Sequence, residues 1–145
     1  MTEIAFHFNV PDKLVYSCRL LRKAYLSGAR VAVSAEPEVL AELDTLLWSF
    51  SPAEFVPHCA GTASAATLAA TPIVLTALLA DCSDRNVLVN LGQGIPAGFE
   101  GFERFIEVVA LPPEDVMAGR SRWKHYAARG YALKRHDLAQ PGGGA

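Results

Sequence analysis

The chain has 145 residues, of which 51% are hydrophobic and 19% charged. That length and composition give one globular domain with a core of its own and exclude a disordered chain. The net charge of −2 gives no global sign of nucleic-acid binding, because polyanion binders usually carry a large positive charge.

Ile4 to Val10 alternates and opens the chain as a strand. Asp12 is placed to cap a helix that ends at Gly28. Leu14, Cys18, Leu21 and Tyr25 fall at helical spacing and form its buried stripe. Arg30 to Ala35 reads as the second strand. Pro37 suits the first turn of a second helix, whose core face is Leu40, Leu43, Leu47 and Phe50. Thr62 to Thr71 reads as a small-residue loop. Pro72 to Ala77 and Val87 to Leu91 read as the third and fourth strands. Their apolar runs alternate poorly, as in strands buried on both faces. The short polar link between them, Asp81 to Asn86, allows an antiparallel pair. After the Gly92–Gly98 loop, a short helix near Phe99–Arg104 leads into a fifth strand, Phe105–Leu111. Pro112-Pro113 ends it and starts a last helix from about Glu114 to Arg129. This order predicts a three-layer α/β/α fold around a mostly parallel, five-stranded sheet. The domain is expected over residues 1–135, with residues 136–145 a disordered, Gly-rich tail.

Few features here favour chemistry. The three cysteines, Cys18, Cys59 and Cys82, lack CxxC spacing and read as reduced thiols in the cytoplasm. Met1 to Val10 has no basic leader of a signal peptide. Gly61 to Ala80 is 20 uncharged residues, a membrane-spanning length, but its Ala/Thr content and Pro72 argue against a span. His7, His58, His125 and His136 are scattered, and no metal is expected. No nucleophile elbow occurs, so no catalytic residue is assigned. Gly92, Gly94 and Gly98 after an apolar strand invite comparison with a dinucleotide loop. The last glycine is one position late, Pro96 occupies the turn, and too little chain follows for a crossover helix. The first β-α turn, Val10-Pro11-Asp12-Lys13, has no glycine. The fold is therefore expected to be Rossmann-like without a nucleotide-binding loop or cofactor. A small nucleotide-dependent α/β enzyme using the Gly92–Gly98 loop stands as the alternative.

Two segments point to binding instead. From Ala118 onward Arg120, Arg122, Lys124, Arg129, Lys134 and Arg135 face one acid, Asp137, for a net +5, while the first 117 residues carry −7. A basic end on an acidic body suits an acidic ligand met there, or is simply a solvated basic helix. Arg120, Trp123 and Lys124 lie at i, i+3 and i+4 and share a helix face. An aromatic wall between cations can take an acidic peptide that ends in an apolar side chain and a free carboxylate. The alternative is that Trp123 belongs to the core. The second segment runs from Leu46 to His58. It places Trp48 and Phe55 seven residues apart around Pro52. A connection this apolar is either pinned to the core or offered to a partner. Trp48 is turned about 100° from the Leu43–Leu47 stripe, towards the edge.

These residues carry a family resemblance. Leu47-Trp48, Pro52-Ala53-Glu54-Phe55 and Val56-Pro57-His58 resemble a motif of the chi subunit of bacterial DNA polymerase III holoenzyme. Arg120, Arg122, Trp123, Lys124, Tyr126, Gly130 and Tyr131 resemble that family's basic-aromatic helix and the Gly-aromatic pair after it. A third, weaker match runs from Val87–Leu91 through a Pro/Gly loop to Phe102–Val109. The three lie in the family's order over residues 1–131. The resemblance implies a non-catalytic replication adaptor without cofactor. It implies that Arg120, Arg122, Trp123 and Lys124 take the acidic C-terminal tail of single-stranded-DNA-binding protein. Arg122 lies on another face of that helix, so its role is open. It implies that Trp48, Phe55, Val56 and Pro57 take the psi subunit, which links chi to the clamp loader, and that a helicase can share that surface. Direct nucleic-acid binding and a membrane are not expected.

Overall fold

The computed structural model describes residues 2–49, 56–79 and 84–139. Strand β1, Glu3–Val10, is followed by Asp12, whose carboxylate accepts the N–H groups of Leu14 and Val15 at 3.1 Å. That cap starts helix α1, Lys13–Leu26, and Gly28 ends it with a left-handed φ of 84°. Cys18 and Leu21 are fully buried in its stripe, with Leu14 and Tyr25 partly so. Strand β2 is Val31–Ser34 and helix α2 is Pro37–Ser49. Leu43 and Leu47 hold α2 to the core as expected; Phe50 lies outside the described residues.

Next come β3, His58–Ala60, which was not expected as a strand, and α3, Ala65–Ala70, inside the Thr62–Thr71 stretch expected as a loop. A three-residue strand is too short to show a period. None of the six residues of α3 is fully buried and only Leu68 packs on the core, so no stripe marks that helix. Ser64 caps it by accepting the N–H of Thr67 at 3.2 Å. Strands β4, Ile73–Thr76, and β5, Val87–Asn90, follow. A single 3₁₀ turn, Phe99–Gly101, precedes β6, Arg104–Ala110. Helix α4, Pro113–Ala128, leads to β7, Leu133–Asp137.

Among the described residues the sheet therefore has seven strands, not five, in the order β3-β4-β2-β5-β6-β1-β7. Every recorded pairing is parallel. The antiparallel pair allowed by the sequence does not form, because β4 and β5 lie on either side of β2. Strand β7 crosses the expected boundary at residue 135. Its sequence, LKRHD, lacks an apolar face, which an edge strand can tolerate. Residues 140–145 of the expected tail lie outside the described residues.

Three layers result, as expected. Helices α1 and α2 cover one face through Tyr16, Leu20, Leu21, Leu43 and Leu47. Helix α4 and the 3₁₀ turn cover the other through Tyr126, Phe99 and Phe102. The register of β1 is set by a bulge: its pairing with β6 shifts between His7 and Val10, and Asn9 takes a left-handed φ of 61°. Ile4, Phe6 and Phe8 face the α4 layer, but the extra residue turns Val10 to the α1 layer. No described helix is long and apolar enough to cross a membrane.

Candidate functional site

Helix α4 is fixed to the sheet by polar groups at its buried side. In its first turn Asp115 accepts the Ala110 N–H at 2.6 Å, Lys13 Nζ at 2.9 Å and Gln93 Nε2 at 2.5 Å. Burial pushes the Asp115 carboxyl up, but these donors outweigh it and hold the group below its usual range. One turn later Gly119 meets β6. A Cβ there would stand 2.8 Å from Val109 Cγ2, so only glycine lets the helix lie this close.

Further along lies a buried cluster that the sequence reading did not foresee. Arg122 Nε stands 3.0 Å from Glu107 Oε2, and Arg122 Nη1 donates to the Gln93 carbonyl at 2.8 Å. The Tyr126 hydroxyl donates to Glu107 at 2.6 Å, and Asn90 Nδ2 donates to its other oxygen at 2.9 Å. Arg122 is 2% exposed and Glu107 is fully buried. Burial raises the Glu107 pKa, against the opposing pull of Arg122, Tyr126 and Asn90. Arg122 is thus a core residue and not part of a surface site with Arg120; its position in the helix turns it to the sheet. A buried acid in an otherwise apolar strand, Glu107 in Phe105–Val109, was the available signal.

The opposite flank of α4 is open. A cleft of about 520 Å3 lies between α4 and the β1/β7 edge. Phe6 and Phe8 form its floor, Val116 and Trp123 its wall, and Arg120 and Arg135 its charged rim. Trp123 is half-buried and packs edge-on against Phe6 with ring centroids 5.1 Å apart. The Arg135 guanidinium lies over Phe8 at 5.0 Å. Arg120 is exposed and makes no ion pair or hydrogen bond among the described residues. The structure therefore brings Arg120 and Trp123 together. Lys124 is exposed on the same helix but does not line the cleft. Arg135 was missed because β7 was missed: in register with Phe6, it shares the face of Leu133 and Asp137.

The second predicted surface lies at the other sheet edge. Trp48, at the end of α2, is 59% exposed, and its ring lies 5.0 Å from that of His58 in β3. His58 is buried; its Nδ1 is 2.7 Å from the Val56 carbonyl and its Nε2 3.1 Å from Asp44. Val56 is buried in the core, so it supports this segment from beneath and does not offer surface. Pro57 is half-buried, and Phe55 lies outside the described residues.

The Gly92–Gly98 loop has its own internal partners. Asn90 Oδ1 accepts the Gly92 N–H at 3.0 Å and Glu36 accepts the Gln93 N–H at 3.2 Å. Carboxylate and amide side chains thus take donors that a phosphate-binding loop would aim at its ligand. Among the described residues no cluster of His, Cys, Asp or Glu could hold a metal.

Comparison with known proteins decides the family. The family model described as DNA polymerase III chi subunit, HolC, matches residues 1–134. The chain belongs to the DNA polymerase III chi subunit family. The chi subunit of Pseudomonas aeruginosa is 32% identical over 144 residues, covering 95% of this chain and 98% of that one. The chi subunit of Haemophilus influenzae is 33% identical over 126 residues, covering 84% and 85%. Among solved structures, the C-terminal domain of the DEAD-box protein Dbp5 matches with a TM-score of 0.58 at 12% identity, over 97% of this chain and 92% of that one. At that identity the likeness is one of fold: a parallel sheet between helices, shared with a protein of another family.

Proposed function

We propose that this chi-family chain is a non-catalytic replication adaptor that holds two partners at opposite edges of one sheet. The α4 cleft takes the acidic C-terminal tail of single-stranded-DNA-binding protein. The Trp48 edge takes the psi subunit of the clamp-loader complex, or a helicase competing for it. The observation that carries this reading is the cleft itself. An aromatic floor for an apolar side chain lies beside Arg120, whose guanidinium has no partner among the described residues, and Arg135 adds a second cation.

The two sites are well separated. The β3 and β7 edges are six strand steps apart, which at about 4.8 Å per step is roughly 29 Å. Sites that far apart are expected to act additively. The enzyme alternative is not favoured, because the Gly92–Gly98 loop spends backbone donors on Asn90 and Glu36.

Titration calorimetry with an acidic, Phe-ended peptide tests the reading. Saturable binding by the native chain, weakened in both Arg120→Ala and Trp123→Ala, supports it. No binding, or unchanged binding in both folded variants, refutes it. A thermal shift with NAD or ATP would revive the enzyme alternative.

A further inference from the structure

The other face of the β1/β7 edge carries a second cavity, of about 470 Å3, that neither proposed partner uses. It exists because of what the sheet leaves uncovered. Helix α1 packs on β2 and β6. Ala5, Ala24 and Ala29 are too small to fill the space towards β7. Lys134 and His136, which stand beside Ala5 and His7 in the parallel register, remain exposed there.

Charged groups converge on this space from four elements: Glu3 and His7 of β1, Lys23 of α1, Arg104 of β6, and Lys134 and His136 of β7. Glu3 is the one acid among them and pairs with Lys134. The side chains of Lys23 and Arg104 make no hydrogen bond or ion pair among the described residues. Apart from the two imidazoles, Lys23, Arg104 and Lys134 against Glu3 leave the lining at +2. The His7 imidazole registers this field. Its pKa is pushed down to about 4, by burial first and then by the positive charge of His136, Arg104 and Lys23. His7 is also fixed, with Nδ1 2.5 Å from the Tyr16 hydroxyl, and its ring lies 4.5 Å from that of His136. Charged side chains on an exposed edge strand deter edge pairing, which accounts for Lys134. It does not account for Lys23 and Arg104, which lie on a helix and an inner strand.

We propose that this cavity is a binding site for a small phosphate-type oxyanion. Arg104 and Lys23 donate to its oxygens, and His136 adds a ring N–H donor. The +2 lining matches a phosphate dianion, and the volume is on the scale of a small-molecule pocket, about 300–1,000 Å3. This assignment rests on the cavity alone and is independent of the adaptor reading.

The test uses the full chain at constant ionic strength, titrated with inorganic phosphate and pyrophosphate while the imidazole resonances of His7 and His136 are followed by NMR. Saturable shifts are expected at both rings, with the pKa of His7 rising as the anion offsets the positive lining. Arg104→Ala and Lys23→Ala should each weaken binding about tenfold, since each removes a charge-assisted bond. Glu3→Gln should strengthen it several-fold, because it removes the one acid and releases Lys134. A purely structural role for these residues would not produce that opposite sign. Circular dichroism identifies folded variants, and Arg104→Lys, which keeps the charge, should restore part of the affinity. Linear, non-saturating shifts would overturn the proposal. So would equal affinity in folded Arg104→Ala and Lys23→Ala. Saturation by oligodeoxythymidylate or an acidic peptide, but not by phosphate, would reassign the cavity to a macromolecular ligand and overturn it as well.

Discussion

Replacing Arg122 by alanine is the sharpest way to separate the buried side of α4 from the side proposed to bind. The guanidinium is almost wholly buried and neutralises Glu107, which has no contact with water. Removing one member of such a pair strands the other, at a cost of about 3–5 kcal/mol. For a chain of this size that is roughly 10–15 °C in the unfolding midpoint. The loss has a pH signature. Glu107 in the folded protein already has a pKa above its ordinary 4.5, chiefly from burial. An acid with a raised folded pKa binds more protons folded than unfolded, so stability is greatest below 4.5 and falls as pH rises through the folded value. Without Arg122 the folded pKa rises further, and the fall extends to higher pH. The deficit of Arg122→Ala should therefore be larger at pH 8 than near pH 5.5. Adding Glu107→Gln to Arg122→Met should recover more than half of it, since glutamine still meets Tyr126 and Asn90 without a charge. Urea titrations at the two pH values measure this. A deficit below about 1 kcal/mol, or one equal at both pH values, would refute the buried-pair account.

Three further outcomes follow from the same geometry. Arg120→Ala should weaken the acidic tail peptide by about 1.5–3 kcal/mol, the scale of a hydrogen bond to a charged group, with the melting temperature unchanged; native binding should weaken with added salt yet keep a residue of affinity from Trp123. Gly119→Ala places a Cβ 2.8 Å from Val109 Cγ2; urea unfolding should show a loss of about 1–3 kcal/mol from overpacking, and calorimetry a weaker tail peptide, because the cleft wall shifts. Trp48→Ala, in a pull-down with a psi-type partner, should lose about 2 kcal/mol or more, as aromatic anchors do, and leave the tail peptide untouched.

Local rules made much of this fold readable. Asp12 caps α1, Cys18 and Leu21 lie where the spacing placed them, and Arg120 and Trp123 share a helix face and meet at one cleft. Legibility stopped where the determining contact was distant in sequence. Strand β7 exists because β1 offers it a parallel partner, which no periodicity in Leu133–Asp137 announces. Arg135, and with it half of the cleft's charge, was lost for that reason. Arg122 looked like its basic neighbours, because its partner Glu107 comes from another element. The bulge at Asn9 turned Val10 to the opposite face from the one its alternation implies. Composition pointed away from β3 and α3, which are too short or too uniform to carry a pattern.

The central claim is that an acidic tail binds between α4 and the β1/β7 edge and not at the Trp48 edge. Backbone chemical-shift mapping of the full chain during titration with the acidic, Phe-ended peptide tests it directly. The account predicts saturable shifts at Phe6, Phe8, Val116, Arg120, Trp123 and Arg135, and none at Trp48 or His58. Shifts concentrated at Trp48 and His58, or no saturation at the α4 cleft, would contradict it.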